Sequence, residues 1–157
     1  MKLVSLFVAV AVSSVCLAQS AAKPVEKAKL FDPAWNPTED LAKAIKKATK
    51  ENKRILIDVG GNWCGWCHKL DKLFTTDETV KKTLAAKYVL VKVNFSPENE
   101  NKEFLSKYPK ITGYPHIFVL EKDGKLLHSQ DTGLLETGPN HDKVKVMAFL
   151  TKWALTP

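Results

Sequence analysis

Two hydrophobic periods alternate along the chain, and they predict a run of helices and strands. Leu41, Ala44, Ile45 and Ala48 recur at i, i+3, i+4 and i+7, the spacing of one helical stripe. Asn36 before Pro37, with Glu39 two residues on, supplies the N-cap, the N1 proline and an acid at N3, so this helix starts at Asn36 and ends near Glu51-Asn52. Arg54 to Val59 is a continuous β-type run, as expected for a strand buried on both faces. Gly60-Gly61-Asn62 breaks that run. A helix with Leu70, Leu73 and Phe74 on its apolar side follows, and Thr76-Asp77-Glu78 restarts a second helix carrying Val80 and Leu84. Tyr88 to Val93 predicts a second buried strand. Ser96-Pro97-Glu98 opens a helical stretch running through Phe104 and Leu105 and closing before Pro109. His116 to Leu120 is a third strand, Asp123-Gly124 a hairpin turn, and Lys125 to His128 the returning strand. Gly133 and Gly138-Pro139 mark loops. Asp142 to Leu155 is a last helix that turns Val146, Met147, Phe149, Leu150 and Trp153 inward. This order predicts an α/β domain: a central mixed sheet flanked by helices on both faces.

The first residues change the picture of what reaches the folded protein. Met1-Lys2 is a short positive segment, Leu3 to Leu17 is nearly all apolar, and Ala18, Ser20, Ala21 and Ala22 are small. That is the pattern of a secretory signal peptide, too short to anchor as a membrane span, with cleavage after Ala18, Ser20 or Ala22. Lipidation at Cys16 is the alternative, and Val15 is large for the residue before a lipidated cysteine. We therefore expect a leader over 1–22, a lead-in over 23–35 with Leu30–Trp35 packed on the domain, and one domain over 36–157. The expected location is the periplasm, since the C-terminus carries no ER-retention tetrapeptide.

The formal charge of +7 at 157 residues comes from lysines spread over helix faces, such as Lys43, Lys46, Lys47, Lys81 and Lys82. A nucleic-acid surface would need a clustered basic face with groove-reading or stacking elements, and no such motif is present. Leader cleavage removes Cys16 and leaves two of the three cysteines, Cys64 and Cys67. Two cysteines three positions apart make no disulfide framework, and a loop so short stabilises little by closure. Strand, turn and helix together put Cys64 at a helix N-terminus, where open backbone N–H groups and the positive end of the helix dipole favour a thiolate. Redox exchange is the chemistry this pair suits in an exported protein. Two rivals use the same residues. Cys64-Gly65-Trp66-Cys67-His68 matches the spacing of a c-type haem attachment site, and two thiolates with His68, His116 or His128 make a weak copper or zinc set.

Three features resemble the thioredoxin superfamily, over about Ile55 to Gly133. Trp63-Cys64-Gly65-Trp66-Cys67 looks like the family's active-site motif. Asp58, six positions before Cys64, matches the buried acid of the preceding strand. Gly113-Tyr114-Pro115 looks like the cis-proline loop that precedes a two-strand hairpin. Within the superfamily, Trp-Cys-Gly-Trp-Cys-His-Lys-Leu followed by Thr76-Asp77-Glu78-Thr79-Val80 is most similar to exported proteins of the disulfide-reductase type. Three positions depart from ordinary thioredoxins: Trp66 stands in place of proline, His68 follows the second cysteine, and Tyr114 precedes Pro115.

The resemblance implies a thioredoxin fold and a thiol–disulfide oxidoreductase without organic cofactor or metal. Cys64 would attack a substrate disulfide, Cys67 would resolve the mixed disulfide, and Asp58 would take the Cys67 proton. Pro115 and Tyr114 would offer backbone to an extended substrate, with Trp63, Gly65 and Trp66 around Cys64. Core packing is the alternative for Trp63. His68 would favour the thiolate as a cation, or would be an ordinary surface residue. The implied partners are protein thiols and disulfides, plus a membrane electron donor for re-reduction, acting on a monomer. The direction turns on the residues between the cysteines, which set potentials from about −270 to about −120 mV. Gly65-Trp66 matches neither extreme. A reductase is the leading reading, an oxidase or isomerase the next, and a non-catalytic binding module the third.

Overall fold

The computed structural model describes residues 29–156. The leader over 1–22, Cys16 and the first part of the lead-in lie outside the described residues. The elements follow in the order α1 (Pro37–Glu51), β1 (Arg54–Gly60), α2 (Gly65–Thr76), α3 (Glu78–Lys87), β2 (Tyr88–Asn94), α4 (Lys102–Leu105), β3 (His116–Leu120), β4 (Leu126–Asp131), β5 (Glu136–Thr137), β6 (Asn140–His141) and α5 (Lys143–Trp153). The main sheet has the strand order β2-β1-β3-β4. β1 runs parallel to β2 and antiparallel to β3, and β4 returns antiparallel to β3. This is the expected mixed sheet.

Alternation along β1 sorts the core into two layers. Ile55, Ile57 and Val59 face Ala44 and Ala48 of α1 together with Val89, Val91, Phe118 and Phe104. Leu56 faces the other way, into Leu70 and Phe74 of α2, Val80 and Leu84 of α3, and Val146 and Leu150 of α5. Asp58 and Gly60 share the Leu56 face, so the residues that bear on the cysteines grow out of the second layer. Caps hold the helix starts where the sequence signals them. Asn36 accepts from the Thr38 and Glu39 N–H groups, Asp77 from Thr79 and Val80, and Asp142 from Val144 and Lys145.

The structure departs from expectation at four places. β2 is an edge strand of the main sheet, so although most of it is buried, Leu90 and Lys92 reach partly into solvent. The stretch opened by Ser96-Pro97-Glu98 forms no long helix: α4 holds only four residues, Lys102–Leu105. Asparagine side chains take the backbone groups a helix would use. Asn94 Nδ2 donates to the Asn99 carbonyl at 2.8 Å, Asn101 Nδ2 to the Asn94 carbonyl at 2.7 Å, and the Asn101 N–H to Asn99 Oδ1 at 3.0 Å. β4 extends to Asp131 instead of stopping at His128. The region around Gly138-Pro139 is an ordered β5–β6 hairpin, with Gly138 at φ 58 in its turn, packed against α2 and tied to α5 where Lys145 Nζ donates to the Glu136 carbonyl.

Candidate active site

α2 begins where the Gly60-Gly61-Asn62 break releases the chain from β1. Cys64 is its N-cap residue, extended at φ −89, and its sulfur accepts from the Cys67 N–H at 3.0 Å. Cys64 and Cys67 are bonded to each other as a disulfide, with Cα atoms 5.2 Å apart. Cys64 is 4 % exposed and Cys67 1 %. In this oxidised form the attacking and the resolving cysteine are therefore almost equally covered. A Cβ on Gly65 would meet nothing within 4 Å, so the space beside Cys64 is open on that side.

Trp63 is 57 % exposed, which rules out its reading as a core residue. Its indole N–H donates to the Phe95 carbonyl at 2.7 Å, and its ring meets Tyr114 edge-on at 5.7 Å. Tyr114 in turn stacks on Phe95 at 4.7 Å. The Tyr114–Pro115 peptide bond is cis, and the Pro115 carbonyl accepts from the hydroxyl of Thr132, the residue just after β4. Tyr114 also packs against the Cys64, Cys67 and Phe31 cluster. On the opposite side, Trp66 is half-buried. His141 of the hairpin meets it edge-on at 5.4 Å, and Lys69 lies over its ring at 4.2 Å while donating to the Pro139 carbonyl. The sequence-predicted residues Trp63, Gly65, Trp66, Tyr114 and Pro115 thus come together around the two sulfurs.

His68 does not turn to the sulfurs. Its Nε2 lies 2.9 Å from the Asn62 carbonyl on the exposed side of α2. In this oxidised form the two sulfurs are bonded to each other, and of the histidines His116 Nε2 lies 2.8 Å from Ser129 Oγ and His128 Nε2 3.1 Å from Gln130 Oε1. Among the described residues no three His, Cys, Asp or Glu side chains group as a metal set.

Asp58 is 1 % exposed, and its Oδ1 has no protein hydrogen-bond partner. Burial pushes its carboxyl up to about 7, against a smaller opposing pull from Lys92, while Asp71 adds to the rise. Lys92 stands opposite Asp58 in the parallel register and is ion-paired with Asp71 of α2. Lys92 and Asp71 were not anticipated; a lone lysine inside the apolar run Tyr88 to Val93 is the signal that marks the first. His141 is the other unanticipated neighbour. Its side chain is fully buried, neither ring nitrogen has a hydrogen-bond partner, and burial followed by Lys69 lowers its pKa to about 4.

Known proteins resemble this chain to different extents. The chain is 30% identical over 105 residues to "Thiol:disulfide interchange protein DsbD" of Actinobacillus pleuropneumoniae, covering 66% of this chain and 18% of that protein. It is 28% identical over 98 residues to "Disulfide bond reductase DsbH" of Chlamydia pneumoniae, covering 57% of this chain and 58% of that one. This chain thus aligns with under two thirds of the length of either relative. Among solved structures, the disulphide isomerase of Xylella fastidiosa Temecula1 superposes with a TM-score of 0.71 at 22% identity, over 81% of this chain and 98% of that one. A DsbH oxidoreductase superposes with a TM-score of 0.56 at 22% identity, over 88% and 93%. Both have the same fold. Residues 35–122 match the family model described as thioredoxin-like, and with the paired cysteines at the head of α2 the chain belongs to the thioredoxin-like family.

Proposed function

We propose that this chain is an exported thiol–disulfide oxidoreductase that reduces disulfides of protein substrates. The observation that carries the reading is the Cys64–Cys67 disulfide at the N-terminus of α2, with a backbone N–H already aimed at the Cys64 sulfur. In the reduced form that donor and the other open N–H groups of the first turn stabilise a Cys64 thiolate. The thiolate attacks one sulfur of a substrate disulfide. A Cys64–substrate bond forms, the substrate S–S bond breaks, and the first substrate thiolate leaves and takes a proton. Asp58 then accepts the Cys67 proton, for which an affinity near neutral pH is suited. The Cys67 thiolate attacks the Cys64 sulfur, which closes the observed disulfide, breaks the Cys64–substrate bond and releases the second substrate sulfur as a thiolate that takes a proton from solvent. Two electrons pass from the dithiol to the substrate.

The substrate chain lies extended along Tyr114-Pro115, pairing with backbone there, with its apolar groups on Trp63 and Trp66. The name of the DsbH relative, a disulfide bond reductase, supports the reducing direction; re-reduction by a membrane electron donor and export past a leader over 1–22 belong to the same proposal. Full-chain protein with Cys67→Ser tests the exchange. It should retain mixed disulfides with substrate proteins through Cys64, sensitive to dithiothreitol, whereas Cys64→Ser should retain none. Absence of such adducts with Cys67→Ser refutes the mechanism. A dithiol potential near the oxidising end, without insulin reduction, refutes the direction.

A further inference from the structure

The segment before α1 does more than lead into the domain. Phe31 is fully buried although it lies outside every helix and strand, and it clusters with Cys64 and Cys67. A reciprocal pair of hydrogen bonds holds it there. The Phe31 N–H donates to Asn62 Oδ1 at 3.0 Å, and Asn62 Nδ2 donates back to the Phe31 carbonyl. Asn99 Nδ2 donates to the Pro33 carbonyl at 2.8 Å, and the Ala34 N–H to Asp32 Oδ1 at 3.0 Å, so the strap is pinned along its length.

The ring occupies a defined place in the site. A Cβ on Gly60 would stand 2.6 Å from Cys67 Sγ and 3.0 Å from Phe31 Cζ, so the disulfide sulfur and the ring converge on one point of β1. Asp58 is two residues earlier on the same strand face. Lys92 Nζ lies 5.2 Å from the centre of the Phe31 ring on one side and is ion-paired to Asp71. Beyond that pair is an open groove lined by Leu30, Trp35, Asn62, His68, Asp71 and Lys92. The charged groups acting on Asp58 are Lys92 from β2 and Asp71 from α2, and Ile117 stands at its register position on β3.

We propose that Phe31 is a positioning residue that closes the resolving cysteine and Asp58 off from the water of this groove, held in place by Asn62. This inference rests on the exchange mechanism above and extends it to the proton. With the ring in place, the proton that Asp58 takes from Cys67 returns to solvent only past the Lys92–Asp71 pair. Without it, the space left is roomy enough for water and polar enough to hold it, since Asp58 Oδ1 lacks a partner and Lys92 Nζ is at hand. Water at Asp58 stabilises its charged form, so its proton affinity falls towards that of an ordinary carboxylic acid.

The test uses the reduced full chain carrying Cys64→Ser, which leaves Cys67 as the reactive thiol of the pair, with iodoacetamide alkylation followed from pH 5 to 9. In this background Phe31→Ala should alkylate at least about tenfold faster at pH 7, and the Asp58-dependent inflection should move down by about one pH unit or more. Asn62→Ala, which loosens the strap without emptying the core, should move both in the same direction. Phe31→Leu should stay within about threefold of the parent. Adding Asp58→Asn should abolish the inflection shift. Unchanged rates and inflection in cooperatively folding Phe31→Ala and Asn62→Ala would overturn the proposal; so would a shift that persists with Asp58→Asn. If Phe31→Ala does not fold, Asn62→Ala decides alone. Trapping by Cys67→Ser reads the exchange mechanism separately: trapped partners with unmoved profiles sink only the strap, and moved profiles without trapped partners sink only the exchange.

Discussion

Replacing Asp58 by asparagine should stabilise the oxidised protein at pH 8 and make little difference at pH 4. The carboxyl is buried without a hydrogen-bond partner for Oδ1, and its pKa rises from the usual 3.8 to about 7. The folded state therefore binds a proton that the unfolded state has lost across that interval. The stability linked to this proton is fully present below about pH 4 and is lost as pH rises through about 7. At about 1.4 kcal/mol for each tenfold in proton affinity, the full interval amounts to about 4 kcal/mol. His141 works with the opposite sign over overlapping pH, so the wild-type curve alone mixes the two. The difference between wild type and Asp58→Asn isolates the carboxylate. Urea unfolding of both oxidised proteins, followed by tryptophan fluorescence from pH 4 to 8, gives that difference directly. It should widen from near its pH 4 value by about 4 kcal/mol in favour of Asp58→Asn. A difference that stays flat to within about 1 kcal/mol would mean the carboxylate is solvated or paired in a way that removes the burial cost, and the reasoning about its role as proton acceptor near neutral pH would fall with it.

Gly60→Ala should destabilise the oxidised protein by about 1–3 kcal/mol, because the added Cβ meets both Cys67 Sγ and the Phe31 ring; thermal unfolding against wild type measures this, and an unchanged Tm would contradict the close approach. His141→Phe should make the protein more resistant to acid. The lowered pKa of about 4 means the stability linked to neutral His141 is present above about 6.5 and lost as pH falls towards 4. The variant should therefore shift the acid-unfolding midpoint downward by removing a loss of up to about 3 kcal/mol. A midpoint at the wild-type pH would show that the ring does not resist charging.

Much of the site was legible because its signals are local. A break after a β-run and before an amphipathic segment puts Cys64 at a helix start whatever the rest of the chain does, and the sulfur is indeed the N-cap of α2. Asn36, Asp77 and Asp142 cap helices for the same reason: a short polar side chain reaches backbone N–H groups two and three residues on. Alternation along Ile55 to Val59 predicts which residues share a face, and so that Asp58 points with Leu56 rather than with Ile57. Local chemistry also misled. Ser96-Pro97-Glu98 reads as a helix start, yet the asparagines around it compete for the same backbone groups and leave a four-residue helix.

What the sequence by itself determined is the pair of cysteines and their place at the head of a helix, which follow from spacing within a few residues, while the acid on the strand before them and the proline loop after them were picked out by the family resemblance. Only the tertiary structure decided what surrounds them. Lys92 faces Asp58 because a parallel strand 34 positions further on falls into register with it. Phe31 meets Cys67 because a side chain of Asn62 turns the strap inward, and His141 meets Trp66 because a hairpin folds back onto α2. Such contacts depend on where distant elements pack, so no local pattern encodes them. Of these neighbours, Lys92 and its partner Asp71 act on the charge of Asp58, which only the packing of β2 and α2 against β1 brings about.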